Sequence, residues 1–303
     1  LAKVDRLGFP ILIRPSYVIG GRGMEIFHDE KSLHVFLEEK VTAASYPLLV
    51  DAYYPGKEVE VDVVTDGKDI FIPAIFEHIE KAGVHSGDSM AVTPPISLSD
   101  ELKKQIVVYA ERIAKGLKFK GIFNIQYVIY QDSLYVLEVN PRASRTVPVI
   151  SKVTGVNMIE IATRTFLGAS LQEICGDVEL LPDNQFYTVK APVFSTNKLA
   201  GVDPVLVPEM KSTGEVIAIS QDYAASLGKA FLWSESLAQA FTKEKKQILS
   251  FTSEEETEQL SKDLAPLNIE VKSSQHFTNF DEIEAWMKTE EAYAIYQTSK
   301  LAE

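Results

Sequence analysis

Three oxygen-bearing side chains, Gln126, Glu138 and Asn140, stand on two apolar runs that read as neighbouring strands. Residues 122–130 and 134–140 pair as an antiparallel hairpin joined at Gln131-Asp132-Ser133. In that register Gln126 lies opposite Glu138 and Asn124 opposite Asn140. Period-two alternation then puts Gln126, Glu138 and Asn140 on one face, with Tyr127, Leu137 and Val139 on the other. Such a trio suits Mg²⁺ or Mn²⁺, with phosphate oxygens and water completing the shell. Both ions accept this oxygen set, so it does not separate them. Arg142 and Arg145 follow at once, and guanidinium forks suit phosphoryl groups and small carboxylates. A structural hairpin with Arg–Glu pairs fits the same residues.

Two loops could meet a phosphorylated ligand. In Arg14-Pro15-Ser16-Tyr17-Val18-Ile19-Gly20-Gly21-Arg22-Gly23, glycines would let backbone N–H groups approach phosphate oxygens that a Cβ would obstruct. No helix with Lys-Ser/Thr follows, and there is no Gly-x-Gly-x-x-Gly turn into a helix, so neither a Walker loop nor a dinucleotide fold is indicated. The second loop, Gly83-Val84-His85-Ser86-Gly87-Asp88-Ser89, follows Glu77-His78-Ile79-Glu80 and offers His85 and Ser86 as donors. An ordinary flexible hairpin and a solvated loop with a surface histidine are the plainer readings of the two.

Alternating strand and helix signals must position these groups. Residues 11–13 and 25–27 are short apolar runs flanking the first loop, and Leu33, Phe36 and Leu37 recur at helical spacing between Asp29 and Lys40. Strands are predicted at 48–54 and 58–65, the second alternating Val59, Val61 and Val63 with Glu58, Glu60 and Asp62. Asp66-Gly67 signals a hairpin into a strand over 70–79. Ser99 would cap a helix over 100–117, and another spans about 157–167 and stops at Gly168. Residues 181–220 hold Pro182, Pro192, Pro204 and Pro208 and read as loops with short strands. From about Ser236 onward a short β-α-β-α-β unit is expected, with a helix around 283–287 and a last strand at 293–296.

Composition narrows the class. The chain has 303 residues, 46% apolar and 24% charged, as in a globular protein with one to three domains. Thirty basic against 43 acidic residues give a formal charge of −13, which argues against a nucleic-acid partner. No apolar run approaches the ~20 residues of a membrane span. The single cysteine, Cys175, excludes an internal disulfide and suits a reducing cytoplasm. Leu1 starts the sequence on what reads as the end of a helix, so a fragment is expected.

Taken together the patches resemble an ATP-grasp fold, an α/β (α+β) architecture with a small C-terminal α/β domain. The resemblance is narrower still. The loop from Arg14 to Arg22, Gly83-Val84-His85-Ser86-Gly87-Asp88-Ser89 and Glu138-Val139-Asn140-Pro141-Arg142-Ala143-Ser144-Arg145-Thr146-Val147-Pro148 are similar to the large subunit of carbamoyl phosphate synthetase. Gly201-Val202-Asp203-Pro204 and Pro208-Glu209-Met210-Lys211-Ser212-Thr213-Gly214-Glu215 extend the likeness. Thr146-Val147-Pro148 and the downstream unit resemble the C-terminal of its two halves.

The resemblance implies an ATP-grasp domain over 1–235, truncated at its N-terminus, and a shortened regulatory-like, methylglyoxal-synthase-like domain over 236–303. It implies phosphorylation of carbamate by ATP to carbamoyl phosphate and ADP, in the cytoplasm, serving arginine or pyrimidine synthesis. By the same likeness Arg14 and the Gly20-Gly21 loop would contact ATP phosphates, and Ala52 and Tyr54 the adenine. Glu58 would hold the ribose, and Gly83, Val84, His85 and Ser86 would form the nucleotide loop. Gln126, Glu138 and Asn140 would hold the metal, Gln126 and Glu138 touching nucleotide as well, while Arg142 and Arg145 would steady phosphoryl group and carbamate. Implied partners are a glutamine amidotransferase small subunit and the missing N-terminal half, with homo-oligomerisation left open. An effector loop would fall near Ser273-Ser274-Gln275-His276, which lacks the usual Gly-Thr signature. The alternatives are another ATP-grasp carboxylate–amine ligase, or a nucleotide-binding or subunit-interface fragment without turnover.

Overall fold

The computed structural model describes residues 4–16, 21, 23–41, 46–177, 179–194, 206–231, 246–250, 252–265, 269–276, 282 and 292–296. The chain divides into two compact units, Leu1–Ala230 and Phe231–Glu303.

The first unit begins with helix α1 (Val4–Leu7), strands β1 (Ile11–Pro15) and β2 (Glu25–Phe27), helix α2 (Glu30–Glu39) and strand β3 (Leu48–Ala52). The strands form an antiparallel sheet in the order β2-β1-β3. Ile11, Ile13, Phe27, Leu33 and Phe36 close its core. Asp29 caps α2 by accepting from the Ser32 N–H at 2.8 Å, which satisfies one of the orphan donors of the first turn.

A larger sheet carries the rest of the unit. Its strands are β4 (Lys57–Thr65), β5 (Ile70–Phe71), β6 (Ile75–Lys81), β7 (Ala91–Thr93), β8 (Gly121–Tyr130), β9 (Ser133–Asn140), β10 (Tyr187–Val193) and β11 (Gly214–Ser220). They run in the order β11-β10-β7-β6-β4-β8-β9, with β5 beside β4, and every pairing is antiparallel. Helix α3 (Asp100–Leu117), capped by Ser99, buries Ile106, Ala110 and Ala114 against Val59, Val61, Val63, Phe123, Ile125 and Tyr127 on one face. On the other face α4 (Thr146–Thr154), α5 (Met158–Phe166) and α6 (Leu171–Cys175) pack Val147, Ile150 and Met158 over Val64, Phe76 and Ile122. Helix α7 (Tyr223–Phe231) covers β10 and β11.

Three expectations change. The strand over 70–79 is two strands broken around Pro73, which has no N–H to give a ladder. Ile72 there exchanges backbone bonds with Glu179 and Leu181 instead. The stretch 181–220 holds two seven-residue strands, β10 and β11, paired along their whole length, with 195–205 outside the described residues. Helix α4 is unforeseen, because Pro148 reads as a breaker. It sits in the first turn, where N–H groups lack an intrahelical partner in any case.

In the second unit, β12 (Lys246–Ser250) lies between β13 (Ile269–Ser273) and β14 (Ala292–Tyr296), both parallel to it. Helix α8 (Glu254–Leu264) connects β12 to β13. The helix expected around 283–287 lies outside the described residues.

Candidate functional site

The hairpin β8–β9 has the expected pairing where it matters: Gln126 faces Glu138, and Asn124 faces Asn140. Its turn is different. Tyr130 pairs with Ser133, so only Gln131 and Asp132 form the loop, both at positive φ (49° and 57°) as a primed two-residue turn requires. That turn alone would shift the register by one residue. An irregularity between Gln126 and Tyr127, which leaves Tyr127 opposite Val136, restores it. Asn140 Nδ2 donates to Glu138 Oε1 at 2.8 Å, and Gln126 Nε2 donates to Ser86 Oγ at 3.0 Å. Both amide nitrogens are thereby engaged, and the groups that remain to meet a cation are oxygens, as Mg²⁺ or Mn²⁺ demands. Among the described residues no cluster of three or more His, Cys, Asp and Glu side chains could hold a metal ion. This set contains a single carboxylate.

The loop after β6 is drawn onto the same place. Its Ser86 contributes a hydroxyl to Gln126 and a carbonyl that accepts from the buried Lys190 Nζ at 3.0 Å. His85 Nδ1 accepts from the Gly87 N–H at 3.0 Å, and the His85 N–H donates to the Val207 carbonyl at 3.1 Å. Burial holds the His85 imidazole below its ordinary pKa, with Arg145 and Lys190 adding to the effect against Asp88 and Glu138. His85 is therefore neutral at pH 7, with its proton on Nε2. Gly83, at φ +112°, lies where a Cβ would stand 2.9 Å from the Tyr53 hydroxyl. Val84 forms an isolated bridge to Ala82.

A segment the sequence reading assigned only by likeness, Pro208 to Thr213, joins these pieces. Arg145 Nη1 donates to Ser212 Oγ at 2.8 Å, and Ser212 Oγ donates to the Gly87 carbonyl at 3.0 Å. The fully buried Asp88 accepts from the N–H groups of Lys211 (2.6 Å) and Ser212 (2.8 Å). Gly21, at φ +74°, approaches so closely that a Cβ there would stand 1.8 Å from the Pro208 carbonyl oxygen. Gly21, His85, Ser86, Gln126, Glu138, Asn140 and Arg145 are thus linked through neighbouring contacts. Arg142 is exposed, its Nη1 donating to the Ala143 carbonyl at 3.2 Å.

Arg14 and Ala52 stay with the three-stranded sheet. Arg14 Nη2 lies 3.4 Å from Asp51 Oδ2, and its buried Nε makes no hydrogen bond, a donor suited to a phosphate oxygen. Ala52 pairs with Ile11. Tyr54 stacks on Tyr130 at 5.1 Å between centroids and leans on Tyr135 at 4.8 Å. Gly20 lies outside the described residues.

Beneath the site is a charged layer that alternation alone did not reveal. Glu58, Glu60 and Asp62 read as the polar side of a half-buried strand, yet all three are buried. His78, from β6, reaches both glutamates: Nδ1 is 3.9 Å from Glu58 Oε1 and Nε2 3.5 Å from Glu60 Oε1, an ion-pair contact without a well-aligned hydrogen bond. Burial pushes Glu58 up to about 7, with Glu60 and Glu138 adding and His78 opposing. Burial also acts against ionised Glu60, but contact with His78, the Lys190 charge and Asn124 outweigh it and hold its pKa low. For His78 burial disfavours the cation, and the two glutamates overcome this and raise its pKa.

A small antiparallel sheet beside a larger antiparallel sheet that ends in the β8–β9 hairpin defines an ATP-grasp fold. Solved structures share that fold: the biotin carboxylase domain of Hydrogenobacter thermophilus 2-oxoglutarate carboxylase, determined with MgADP and bicarbonate, has a TM-score of 0.58 at 17% identity, over 75% of this chain and 57% of its own. Biotin carboxylase of Campylobacter jejuni gives 0.56 at 16% identity with the same coverages. N5-carboxyaminoimidazole ribonucleotide synthetase of Thermotoga maritima gives 0.53 at 16%, over 76% and 62%.

The family model described as carbamoyl-phosphate synthase L chain, ATP binding domain, matches residues 1–174, and the chain belongs to that family. It is 53% identical over 248 residues to the carbamoyl phosphate synthase arginine-specific large chain of Halalkalibacterium halodurans, covering 82% of this chain and 24% of the relative. The like-named chain of Geobacillus stearothermophilus is 54% identical over 234 residues, covering 76% and 22%. The chain therefore spans about a quarter of the length of these curated relatives.

Proposed function

We propose that this chain phosphorylates carbamate with ATP, giving carbamoyl phosphate and ADP, as part of a glutamine-dependent carbamoyl phosphate synthetase large chain. The observation that carries the reading is that Gln126, Glu138 and Asn140 share one hairpin whose Gln126 is bonded to Ser86, in the loop that Arg145 meets at Gly87 through Ser212. The arginine-specific naming of both relatives favours a role in arginine synthesis. Residues 1–235 would form the ATP-grasp domain and 236–303 a regulatory-like domain. The remaining large-chain sequence and a glutamine amidotransferase small subunit would be its partners, in the cytoplasm.

A carbamate oxygen attacks the γ-phosphorus in line, and the bond from that phosphorus to the β–γ bridging oxygen breaks, leaving ADP. Charge spreads over the equatorial oxygens, where Arg145 and the more exposed Arg142 supply preorganised donors. Arg14, through its unpaired Nε, and the backbone around Gly20 and Gly21 would hold the phosphates. Neutral His85 would donate from Nε2 without acting as a base, and no protein nucleophile is needed. Gln126, Glu138 and Asn140 would hold Mg²⁺ or Mn²⁺, which when bound neutralises phosphate charge. Enclosure by the Gly21–Pro208 contact would protect carbamate from loss to water.

The test is the reverse reaction. With magnesium, ADP and carbamoyl phosphate, this chain should form ATP; ADP that stays unphosphorylated at saturating substrates contradicts the reading.

A further inference from the structure

Asp62 has no place in the site described above, yet it is fully buried and spends its carboxylate on one short segment. Its Oδ2 accepts from the hydroxyls of Ser144 at 2.6 Å and Thr146 at 2.5 Å, and its Oδ1 from the Ser144 N–H at 3.3 Å. The Thr146 N–H in turn donates to Ser144 Oγ at 3.0 Å. Two hydroxyls and one peptide N–H, on the residues immediately before and after Arg145, thus close around a single carboxylate, and the second N–H ties Thr146 to Ser144.

That carboxylate is expensive where it stands. A buried acid is tolerated only when its acceptor oxygens are filled, and hydroxyls return less than a cation would. Burial, with the charge of Glu60 adding, raises Asp62 to about 6 even against these hydrogen bonds. Core packing would be served better by an apolar side chain, such as Val64 two residues later on the same face. What a valine could not do is hold the backbone on both sides of Arg145. The segment needs holding: between Asn140 and Thr146 it has no strand or helix of its own, and the Arg145 side chain makes no cap bond to α4. The guanidinium is fixed separately, by Ser212.

We propose that Asp62 is the positioning residue of Arg145, fixing through Ser144 and Thr146 where the guanidinium meets the transferring phosphoryl group. The assignment rests on the phosphoryl-transfer reading above. Asp62 itself touches no substrate, and its effect is relayed across more than eighty residues of sequence to the loop.

The experiment compares the full chain with Asp62→Asn, Ser144→Ala and Ser144→Thr by two readouts. The first is amide hydrogen exchange at 143–146 against exchange in β4 and β8. The second is ATP formation from ADP and carbamoyl phosphate, with kcat and the KM for MgADP separated. Asp62→Asn and Ser144→Ala should speed exchange at 143–146 by about tenfold while β4 and β8 stay protected. Both should lower kcat about 10- to 100-fold, the range for misplacing a reacting group by about 1 Å, with KM moved less than about threefold. Ser144→Thr keeps the hydroxyl and should recover most of the rate lost in Ser144→Ala. Unchanged exchange at 143–146, kcat within about twofold of wild type, or equal loss of protection across β4 and β8 would each overturn the assignment. Should Asp62→Asn not fold, the Ser144 pair decides alone. Should the wild-type chain form no ATP, the phosphoryl-transfer reading fails, and exchange at 143–146 still decides whether Asp62 holds the loop.

Discussion

Replacing Glu58 by Gln should make the protein relatively more stable as pH rises, although it removes a charge from a cluster of charges. In the fold Glu58 is buried beside Glu60, and burial raises its pKa to about 7 against an ordinary 4.5. Between those values the unfolded chain has lost the proton and the folded chain keeps it. The folded state therefore binds more protons, and stability falls as pH climbs through that window. A pKa gap of about 2.5 at 1.36 kcal/mol per unit amounts to about 3 kcal/mol, present below pH 4.5 and lost by about pH 7.5. Gln copies the protonated acid in size and hydrogen bonding and cannot lose a proton. At pH 4 the two proteins should differ little on this account, and by pH 8 the variant should have gained about 3 kcal/mol relative to wild type. Urea unfolding at six or seven pH values measures this, followed by tyrosine circular dichroism. Both tryptophans, Trp233 and Trp286, fall within Phe231–Glu303, so their fluorescence would report the wrong unit. A stability difference that is flat from pH 4 to 8, or that turns against the variant as pH rises, would show that Glu58 does not keep its proton in the fold.

Gly21→Ala should destabilise the first unit by at least about 1–2 kcal/mol, because a left-handed backbone costs a non-glycine residue that much and the Cβ would stand 1.8 Å from the Pro208 carbonyl oxygen. Urea unfolding at pH 7 checks it. Lys190→Met takes away the buried donor of the Ser86 carbonyl together with a positive charge that favours ionised Glu60; loss of a buried hydrogen bond from a charged group costs about 1.5–3 kcal/mol. Scanning calorimetry should show the transition of the first unit lowered by about 3–12 °C.

The hairpin was legible in the sequence for a specific reason. Gln126 and Glu138 interrupt two apolar runs separated by a short polar turn, so pairing the runs as a hairpin sets them opposite one another, and a one-residue slip would have inverted every side chain. The turn was not legible in detail, since Gln131 and Asp132 at positive φ lack the Asn-Gly signature of a primed turn. The charged layer was harder still. Glu58-Val59-Glu60-Val61-Asp62-Val63 has the pattern of a strand with one wet face, and only partners far away in sequence show that the face is covered. His78 arrives from β6, Lys190 from β10 and Ser144 from the loop after β9, and no local pattern announces any of them. The role of Ser212 was equally hidden, because a serine between Lys211 and Thr213 has the composition of any surface loop until Arg145 and Gly87 are placed on its hydroxyl.

If the hairpin Gln126–Glu138–Asn140 works with the arginine loop to transfer a phosphoryl group, that transfer must depend on Glu138 and on magnesium together. ATP formation from ADP and carbamoyl phosphate, titrated with magnesium in wild type and in Glu138→Ala, measures both. Wild type should respond to magnesium with saturation, and the variant should lose activity by at least about 100-fold at every concentration. Equal activity and equal magnesium dependence in the two proteins would mean that this hairpin does not hold the reacting phosphates.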